Sequence, residues 1–295
     1  MGFTSWCGGL PAPECADNPL GYKFSWSPRA VLLACLNEAV YLQAGKLVRI
    51  PGDHLLEAAQ PVRVNAAFAF EGIPNRDSLA YLKPYGLENQ VQSMLRGTLR
   101  YSGYAELMAS LRKLGLLSLQ PLADSLRSCS SWAELLAHLL PKQLVSRAAL
   151  CEKLGLQEGS EQAVRILEAF EWLGLTSPTQ SFNPQATLLD SLALLLQSKL
   201  QYLPGERDMA FMQHQFHLQS KSGHDSKKIH STMIVYGDSQ YSAMARTVGL
   251  PVAMAAEMIL RGEYHEPGIQ RPLQAKLYNR LLDRLESHGM RFKEE

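Results

Sequence analysis

The sequence has few cysteines, almost no net charge and no long hydrophobic run. Its five cysteines are odd in number and form no Cys-x-x-Cys pair, which argues for free thiols in a reducing compartment and against a disulfide framework or a zinc site. Lysine and arginine total 29 against 28 acidic residues, and the net charge of +1 predicts no nucleic-acid partner. The apolar runs at 31–36 and 192–196 are too short to span a bilayer, so no membrane partner is expected.

Signatures of nucleotide binding and of common catalytic sites are also missing. No Gly-x-Gly-x-x-Gly or phosphate loop is present, and no Ser-His-Asp order or paired-carboxylate signature stands out. His214 and His217 form His-x-x-His, but in an alternating strand they point to opposite faces, which disfavours metal binding. The sequence therefore predicts no metal and no tightly bound nucleotide on this chain alone, and it assigns no catalytic residue.

The first hundred residues have the patterns of an α/β segment. With 46% hydrophobic residues over 295 positions, the chain can bury a substantial core. Apolar or alternating patterns predict strands at 3–6, 47–50 and 63–70. A proline at the start predicts a helix over 28–42.

Residues 102–204 change to a mostly helical pattern. Ser131 with Glu134 forms a capping-box pattern, and Ser160 is a second predicted N-cap. Three Leu-Gly-Leu sequences place glycine where a left-handed residue ends a helix, at Gly115, Gly155 and Gly174. Their separations share no period, so the pattern indicates repeated helix ends and not a solenoid.

Strand patterns return after residue 205. Residues 209–218 and 229–236 alternate, with turn residues at 222–225, and this ribbon should extend the sheet of the first hundred residues. The helical block is then an insertion in one α/β domain. Two further helices are predicted, one over 244–260 with an interruption at 249–251 and an amphipathic one over 274–288.

The longest motif occupies residues 6–28. It combines Trp6-Cys7-Gly8-Gly9-Leu10-Pro11-Ala12-Pro13-Glu14 with Asp17-Asn18-Pro19-Leu20-Gly21-Tyr22-Lys23-Phe24-Ser25-Trp26-Ser27-Pro28. Its two glycines and the following proline favour a tight turn that comes close to a ligand. Four shorter motifs follow: Asn75-Arg76-Asp77-Ser78, Arg96-Gly97-Thr98-Leu99-Arg100-Tyr101, Gly205-Glu206-Arg207-Asp208-Met209 and Tyr241-Ser242-Ala243-Met244-Ala245. In this order they resemble the saccharopine dehydrogenases over essentially the whole chain.

The resemblance implies an α/β fold of the α+β kind, with a mixed sheet, flanking helices and a helical insertion, like the C-terminal domain of glyceraldehyde-phosphate dehydrogenase. It implies that a preceding Rossmann domain is missing. The expected divisions are 1–101 and 205–240 for the substrate-binding domain, 102–204 for the insertion, and 241–295 for helices that pack toward the missing domain.

The resemblance also implies an oxidoreductase of lysine biosynthesis through aminoadipate. Saccharopine, the implied small-molecule substrate, is interconverted with aminoadipate semialdehyde and glutamate, with NADP or NAD as the cofactor of the complete enzyme. A cytoplasmic homodimer is expected, and the mitochondrial matrix is the alternative location. Two other functions stay open: a non-catalytic, self-associating remnant of the fold, and a related carboxylated-polyamine dehydrogenase.

Saccharopine carries three carboxylates, which guanidinium groups and backbone amides suit. The motifs supply arginines, main-chain amides and pocket walls, and the predicted substrate-binding residues are Arg76, Arg96, Arg100, Gly8, Gly9, Leu10, Phe24, Ser25 and Trp26. Three of these have structural alternatives, because Arg76 can fix a turn, Arg96 can be a solvated charge and Trp26 can belong to the core. Cys7 is interpreted as a small packed residue, since nothing nearby in sequence would lower its pKa.

Overall fold

A mixed nine-stranded sheet flanked by helices forms the fold, as the resemblance implied. The computed structural model describes residues 1–141, 143–220 and 226–295. The strands are β1 (Gly2–Pro11), β2 (Ala39–Gln43), β3 (Lys46–Ile50), β4 (Gln60–Val62), β5 (Phe70–Pro74), β6 (Ser93–Tyr101), β7 (Asp208–Gln219), β8 (Ser226–Tyr236) and β9 (Lys293–Glu294).

Strand β1 lies at the centre of the sheet. The strand order is β3-β2-β6-β1-β7-β8-β9, and β5, which pairs with β4, also pairs with β6. β1 runs parallel to β6 and antiparallel to β7. The predicted turn at Gly8 and Gly9 is therefore wrong, because both residues continue the strand and pair with Phe211 and Ala210 of β7.

The helices of the described chain fall into a block before β7 and a pair after β8. After α1 (Pro28–Ala34), the block contains α2 (Tyr104–Lys113), α3 (Asp124–Arg127), α4 (Trp132–Leu139), α5 (Arg147–Leu154), α6 (Glu161–Leu173) and α7 (Leu188–Lys199). The pair consists of α8 (Ala243–Leu260) and α9 (Ala275–Ser287). α9 confirms the amphipathic helix predicted over 274–288.

The predicted helix ends in the block are confirmed. Ser131 and Ser160 accept hydrogen bonds from the N–H groups of Glu134 and Ala163 at 3.2 Å. Gly115, Gly155 and Gly174 have φ values of +86°, +70° and +81°. The leucine after each one donates its N–H back to the last helical turn, as in the Leu156 N to Cys151 O bond of 2.9 Å.

Two secondary-structure predictions in the first hundred residues are wrong. The helix predicted over 28–42 ends at Ala34, and Ala39–Gln43 forms β2 because these residues pair with β3. A strand was predicted over 63–70, but residues 63–69 form the connection between β4 and β5, and β5 begins at Phe70. Sequence patterns could not show that tertiary pairing takes precedence over local preference here.

Helix α8 is continuous through Pro251, so the predicted interruption is also wrong. By length and composition this helix could cross a membrane, unlike the apolar runs considered from the sequence, and 17% of its residues are buried. Its exposed apolar residues are Val248, Val252, Ile259 and Leu260. The predicted turn at 222–225 lies outside the described residues.

The two faces of the sheet have different coverings. Trp6 and Leu10 of β1 point to one face and belong to the main core that the sheet shares with the helical block. Cys7 and Gly9 point to the other face, which we call the Cys7 face. There Gly9 lies under Met244 of α8, which leaves so little room that a Cβ on Gly9 would come 3.0 Å from the Met244 sulfur.

Candidate functional site

The segments that contain the family motifs meet near the end of β1. Residues 206–208 connect them through three acidic or basic side chains. Glu206 forms an ion pair with Lys23, and the Nε of Arg207 donates to Glu14 Oε1 at 2.9 Å. The Asp208 carboxylate accepts the N–H groups of Ala243 and Met244 at the start of α8.

Lys23 is buried, and its ammonium group lies 3.1 Å from Asp17 in addition to the Glu206 contact. Burial opposes the charge of Lys23, but the hydrogen bonds and ion pairs with Glu206 and Asp17 outweigh it and raise its pKa. The charge is therefore satisfied within the chain. Lys23 fixes the segment at 17–28 against residue 206, and no free charge is left on it to attract a ligand.

Arg100 is a second buried cation, and its surroundings differ from those of Lys23. It is 7% exposed, and its guanidinium lies over the rings of Tyr22 and Tyr104 at 4.7 and 5.2 Å. Nη1 donates to the Leu99 carbonyl at 2.8 Å, and Nε has no hydrogen-bond partner. In the described part of the chain no carboxylate forms an ion pair with it. A buried charge without a partner is costly, and an anionic ligand would relieve that cost.

The groups around Arg100 remain uncharged at neutral pH. Burial raises the pKa of the Tyr104 hydroxyl well above its usual range, and burial likewise raises the pKa of the Cys35 thiol. The Cys35 sulfur lies 3.8 Å from the Tyr104 oxygen. Neither group therefore supplies the negative charge that Arg100 lacks.

Arg96 and Arg100 lie on the Cys7 face of β6. Cys7 pairs in register with Thr98, and residues two apart in a strand share a face. Solvent reaches the Cys7 side chain. Partial desolvation by its surroundings nevertheless raises the pKa of the thiol, and this effect outweighs the charges of Arg100 and Arg96, which lower it. Cys7 is thus accessible, which corrects the packed position predicted for it. The Arg96 guanidinium lies 3.9 Å above the Tyr81 ring.

Arg76 sits in a strained turn beside this face. Its φ of +50° is rare for a residue with a side chain. The turn is fixed by its backbone, since Val40 N donates to Arg76 O at 2.9 Å and Asn75 N donates to Arg96 O at 2.9 Å. Arg76 itself is exposed, and its guanidinium forms no ion pair within the described residues. The backbone thus makes the turn and leaves the side chain available.

Close packing and strand pairing fix the positions of Gly8, Gly9 and Leu10. A Cβ on Gly8 would come 3.0 Å from Leu99, and Leu10 is fully buried. β1 keeps its pairing with β7 through Pro11, whereas its ladder with β6 ends at Cys7. The backbone at residues 8–11 is therefore paired along one edge, while Tyr101 Oη donates to the Pro11 carbonyl at 3.1 Å.

Phe24, Ser25 and Trp26, the predicted walls of the pocket, lie in three different surroundings. Phe24 packs against the main core, and Trp26 is 51% exposed, so the alternative that it belongs to the core is wrong. Ser25 lines a cavity of about 270 Å³ with Tyr202, Asp208 and Tyr241. This cavity connects the predicted residue Ser25 with the start of α8.

Sequence reasoning missed the residues that join the motifs. Asp208 is 3% exposed and caps α8, and Glu206 pairs with Lys23, although both stood inside a quoted motif. Two acidic residues close together in a motif, here on either side of Arg207, are a usable signal for such contacts. Sequence reasoning also missed the role of Gly97. A Cβ at this position would overlap the ring of Trp6, so the close packing of Trp6 requires glycine there.

In the part of the chain that the structure describes, the helix starts that directly follow strands do not fit a dinucleotide. Helix N-termini that follow strands are the usual pyrophosphate sites. α2 follows β6, but the Glu71 carboxylate already accepts the N–H groups of Gly103 and Ala105 there. α8 follows β8, and Asp208 fills its N-terminus in the same way. Both anion-binding positions are thus occupied by the chain's own carboxylates.

A larger cavity of about 960 Å³ opens on the other face of the sheet. Thr4, Trp6, Gln60 and Gln215 are among its lining residues, and none of the predicted substrate-binding residues is. Its size alone therefore does not make it the candidate site, which we place on the Cys7 face.

Comparisons with known proteins agree on one family. The model of the saccharopine dehydrogenase C-terminal domain matches residues 1–290. The mitochondrial alpha-aminoadipic semialdehyde synthase of Bos taurus is 43% identical over 98% of this chain and 31% of its own length. The saccharopine dehydrogenase [NADP(+), L-glutamate-forming] of Schizosaccharomyces pombe is 39% identical over 99% of this chain and 66% of its own length.

A solved structure gives the same result. The apo histidine-tagged saccharopine dehydrogenase (L-Glu forming) from Saccharomyces cerevisiae has a TM-score of 0.92 and 36% identity, covering 100% of this chain and 66% of that one. The chain thus spans between about a third and two thirds of the relatives described above.

Proposed function

The chain belongs to the saccharopine dehydrogenase C-terminal domain family, and from this premise we propose that it is the substrate-binding and dimer-forming part of a saccharopine dehydrogenase. The relatives carry the names of oxidoreductases and synthases of this chemistry. In the proposed reaction, the carbon next to the secondary amine of saccharopine would give a hydride to the nicotinamide cofactor, and water would hydrolyse the resulting imine to aminoadipate semialdehyde and glutamate. This chain would bind and orient the substrate.

The observation that carries the proposal is the buried charge of Arg100, which has no ion-pair partner among the described residues. Arg96 shares its face of β6, and the Arg76 turn is hydrogen-bonded to the Arg96 carbonyl. Three guanidinium groups beside one face of the sheet suit a substrate with three carboxylates, because each fork can pair with a carboxylate through two parallel hydrogen bonds. The main-chain groups of Gly8, Gly9 and Leu10, together with Phe24, Ser25 and Trp26, would complete this site.

NADP or NAD would bind to a separate dinucleotide domain of the complete enzyme. The printed name of the S. pombe relative includes NADP, which favours NADP. The exposed apolar residues of α8 would pack on that domain, since exposed contiguous apolar surface marks an interaction site. The division into 1–101, 102–204, 205–240 and 241–295 remains part of this proposal.

The homodimer and the location are proposed with the same function. We propose a cytoplasmic enzyme, with the mitochondrial matrix as the alternative that the name of the B. taurus relative supports. Two other functions compete with this one: a non-catalytic, self-associating remnant and a carboxylated-polyamine dehydrogenase. Turnover of saccharopine by the full-length protein would argue against both.

Arg100→Met in the full-length enzyme tests the proposal. Removing one charge-assisted contact should lower kcat/KM for saccharopine by about 30- to 1000-fold, or roughly 2–4 kcal/mol. The folded state should be unaffected or more stable, because an unpaired buried charge is replaced by an apolar chain of similar shape. Steady-state kinetics and urea unfolding measure the two effects.

Arg76→Ala should give a similar loss of kcat/KM, and Arg147→Ala is the matched control. Arg147 is exposed at the start of α5 and forms an ion pair with Glu171, so it lies in the helical block. An unchanged kcat/KM in the Arg100 and Arg76 variants would remove both residues from the substrate site.

A further inference from the structure

We propose that Cys129, Glu134 and His138 form a binding site for a divalent metal ion, with Zn²⁺ as the preferred ion. The site lies in the helical block, at the start and along one side of α4, and is separate from the Cys7 face. No Cys-x-x-Cys pair marks it, because its three ligands are of three residue types.

The geometry suits a tetrahedral ion. The sulfur, carboxylate and imidazole ligand atoms all lie within 4.8 Å of one another. In a tetrahedral zinc site with bonds of about 2.0–2.3 Å, ligand atoms are roughly 3.5 Å apart. Small side-chain rotations would bring the three ligand atoms to this spacing. Glu134 and His138 are four residues apart in one helix, so they share a side of it.

The carboxylate is already oriented by hydrogen bonds. Glu134 Oε2 accepts the N–H of Ser130 at 2.7 Å and the hydroxyl of Ser130 at 2.8 Å. The two oxygens of a carboxylate together offer about four acceptor sites, so these hydrogen bonds leave room for an ion. Hydrogen bonds that hold a ligand in place are typical of metal sites, where they fix its direction.

The backbone that carries Cys129 is also held in place. Trp132 N donates to Gln180 O at 3.0 Å, and Phe182 N donates to Ser130 O at 3.1 Å. The Trp132 and Phe182 rings pack edge to face with centroids 5.1 Å apart. These contacts fix the connection between α3 and α4, so an ion would bind without reordering the chain.

The charges are complementary to a dication. Cys129 is 4% exposed, and its thiol donates only one long hydrogen bond, 3.9 Å to Ser125 O. Thiolate, carboxylate and neutral imidazole together neutralise a dication. Glu134 and His138 are exposed, which gives the ion a path from solvent and leaves room for water as a fourth ligand.

Titration of the purified chain with Co²⁺, and competition by Zn²⁺, tests the site. One equivalent should produce visible d–d bands of tetrahedral cobalt together with a sulfur-to-metal charge-transfer band, and Zn²⁺ should displace both. Cys129→Ser should abolish the charge-transfer band. His138→Gln, at an exposed position that should not affect folding, should weaken binding at least about tenfold.

Cys151→Ser is the matched control, because Cys151 is another buried cysteine of the helical block. It should leave the spectra and the affinity unchanged. The proposal is overturned if one equivalent of Co²⁺ gives no sulfur charge-transfer band, if that band survives in Cys129→Ser, or if His138→Gln binds as tightly as the unaltered chain.

Discussion

The helical block and the Cys7 face satisfy their polar groups in different ways. In the block, the starts of α4 to α7 are capped by the nearest hydroxyl, as where Ser146 accepts from Ala149 N at 3.1 Å and Thr187 accepts from Asp190 N at 3.1 Å. The start of α2 is capped instead by Glu71 of β5, and the start of α8, beside the Cys7 face, is capped by Asp208, 35 residues earlier in the chain. Local chemistry thus builds α4 to α7, whereas long-range polar contacts join helices to the sheet and assemble the candidate substrate site.

The glycines of the helical block and of the sheet differ in a similar way. Gly155 has a positive φ and open space around its missing side chain, so only its backbone requires glycine. Gly97 has no such φ, and the ring of Trp6 occupies the space where a Cβ would be. One glycine serves a helix end, and the other makes room for a distant residue. This contrast shows which positions depend on their immediate sequence and which depend on the assembled fold.

The largest expected effect is that of Asp208→Ala. The change leaves the N–H groups of Ala243 and Met244 unpaired in a buried place and should lower the free energy of unfolding by about 3–5 kcal/mol. Thr187→Ala, which removes a local cap, should cost about 1 kcal/mol. Urea unfolding measures both. Equal losses would show that the long-range cap is worth no more than the local one.

Gly97→Ala comes next. Its Cβ would overlap the Trp6 ring, and we expect a loss of about 3 kcal/mol in the free energy of unfolding. Gly155→Ala strains only a left-handed residue and should cost about 1–2 kcal/mol. If thermal or urea unfolding ranks the two variants in the opposite order, the packing reason given for Gly97 is wrong.

The smallest expected effect is a dependence of folding stability on pH, caused by a histidine in the sheet. His214 stacks between Phe3 and Phe292, at 5.8 and 5.4 Å, and burial lowers its pKa. The unfolded chain therefore binds the proton more readily, and stability should fall as the pH drops below about 6.5 toward the lower pKa of the folded state.

His214→Phe keeps the stacked ring and removes the titrating group. Urea unfolding at about pH 7 and about pH 5 should show a smaller loss of stability in this variant than in the unaltered chain. The same loss in both proteins would mean that other groups cause the pH dependence.

Much of the fold could be predicted because its signals are local. The caps at Ser131 and Ser160 and the helix ends at Gly115, Gly155 and Gly174 each depend on a few neighbouring residues. The failures involve contacts that are distant in sequence. β2 forms where a helix was predicted because its hairpin with β3 also pairs with β6, through Leu42 and Met94, and Gly8 and Gly9 stay extended because β7 lies beside them.

The candidate site likewise has a part that could be predicted from the sequence and a part that could not. Its arginines could be named because they stand inside motifs, but the absence of a carboxylate beside Arg100 depends on what else reaches that point in space. The role of Asp208 likewise depends on the position of α8. A motif identifies which residues matter, and only the assembled structure shows what each one contacts.

The close fit of Trp6 against Gly72 and Gly97 also has an optical consequence. Trp6 is 3% exposed in the sheet and Trp132 is 2% exposed in the helical block, while Trp26 and Trp172 are 51% and 39% exposed. The sheet and the helical block therefore each contain one tryptophan shielded from water, while the two exposed ones lie just before α1 and in α6. Replacing either buried tryptophan by phenylalanine would leave an emission signal from the other, so fluorescence could follow the melting of sheet and helices separately.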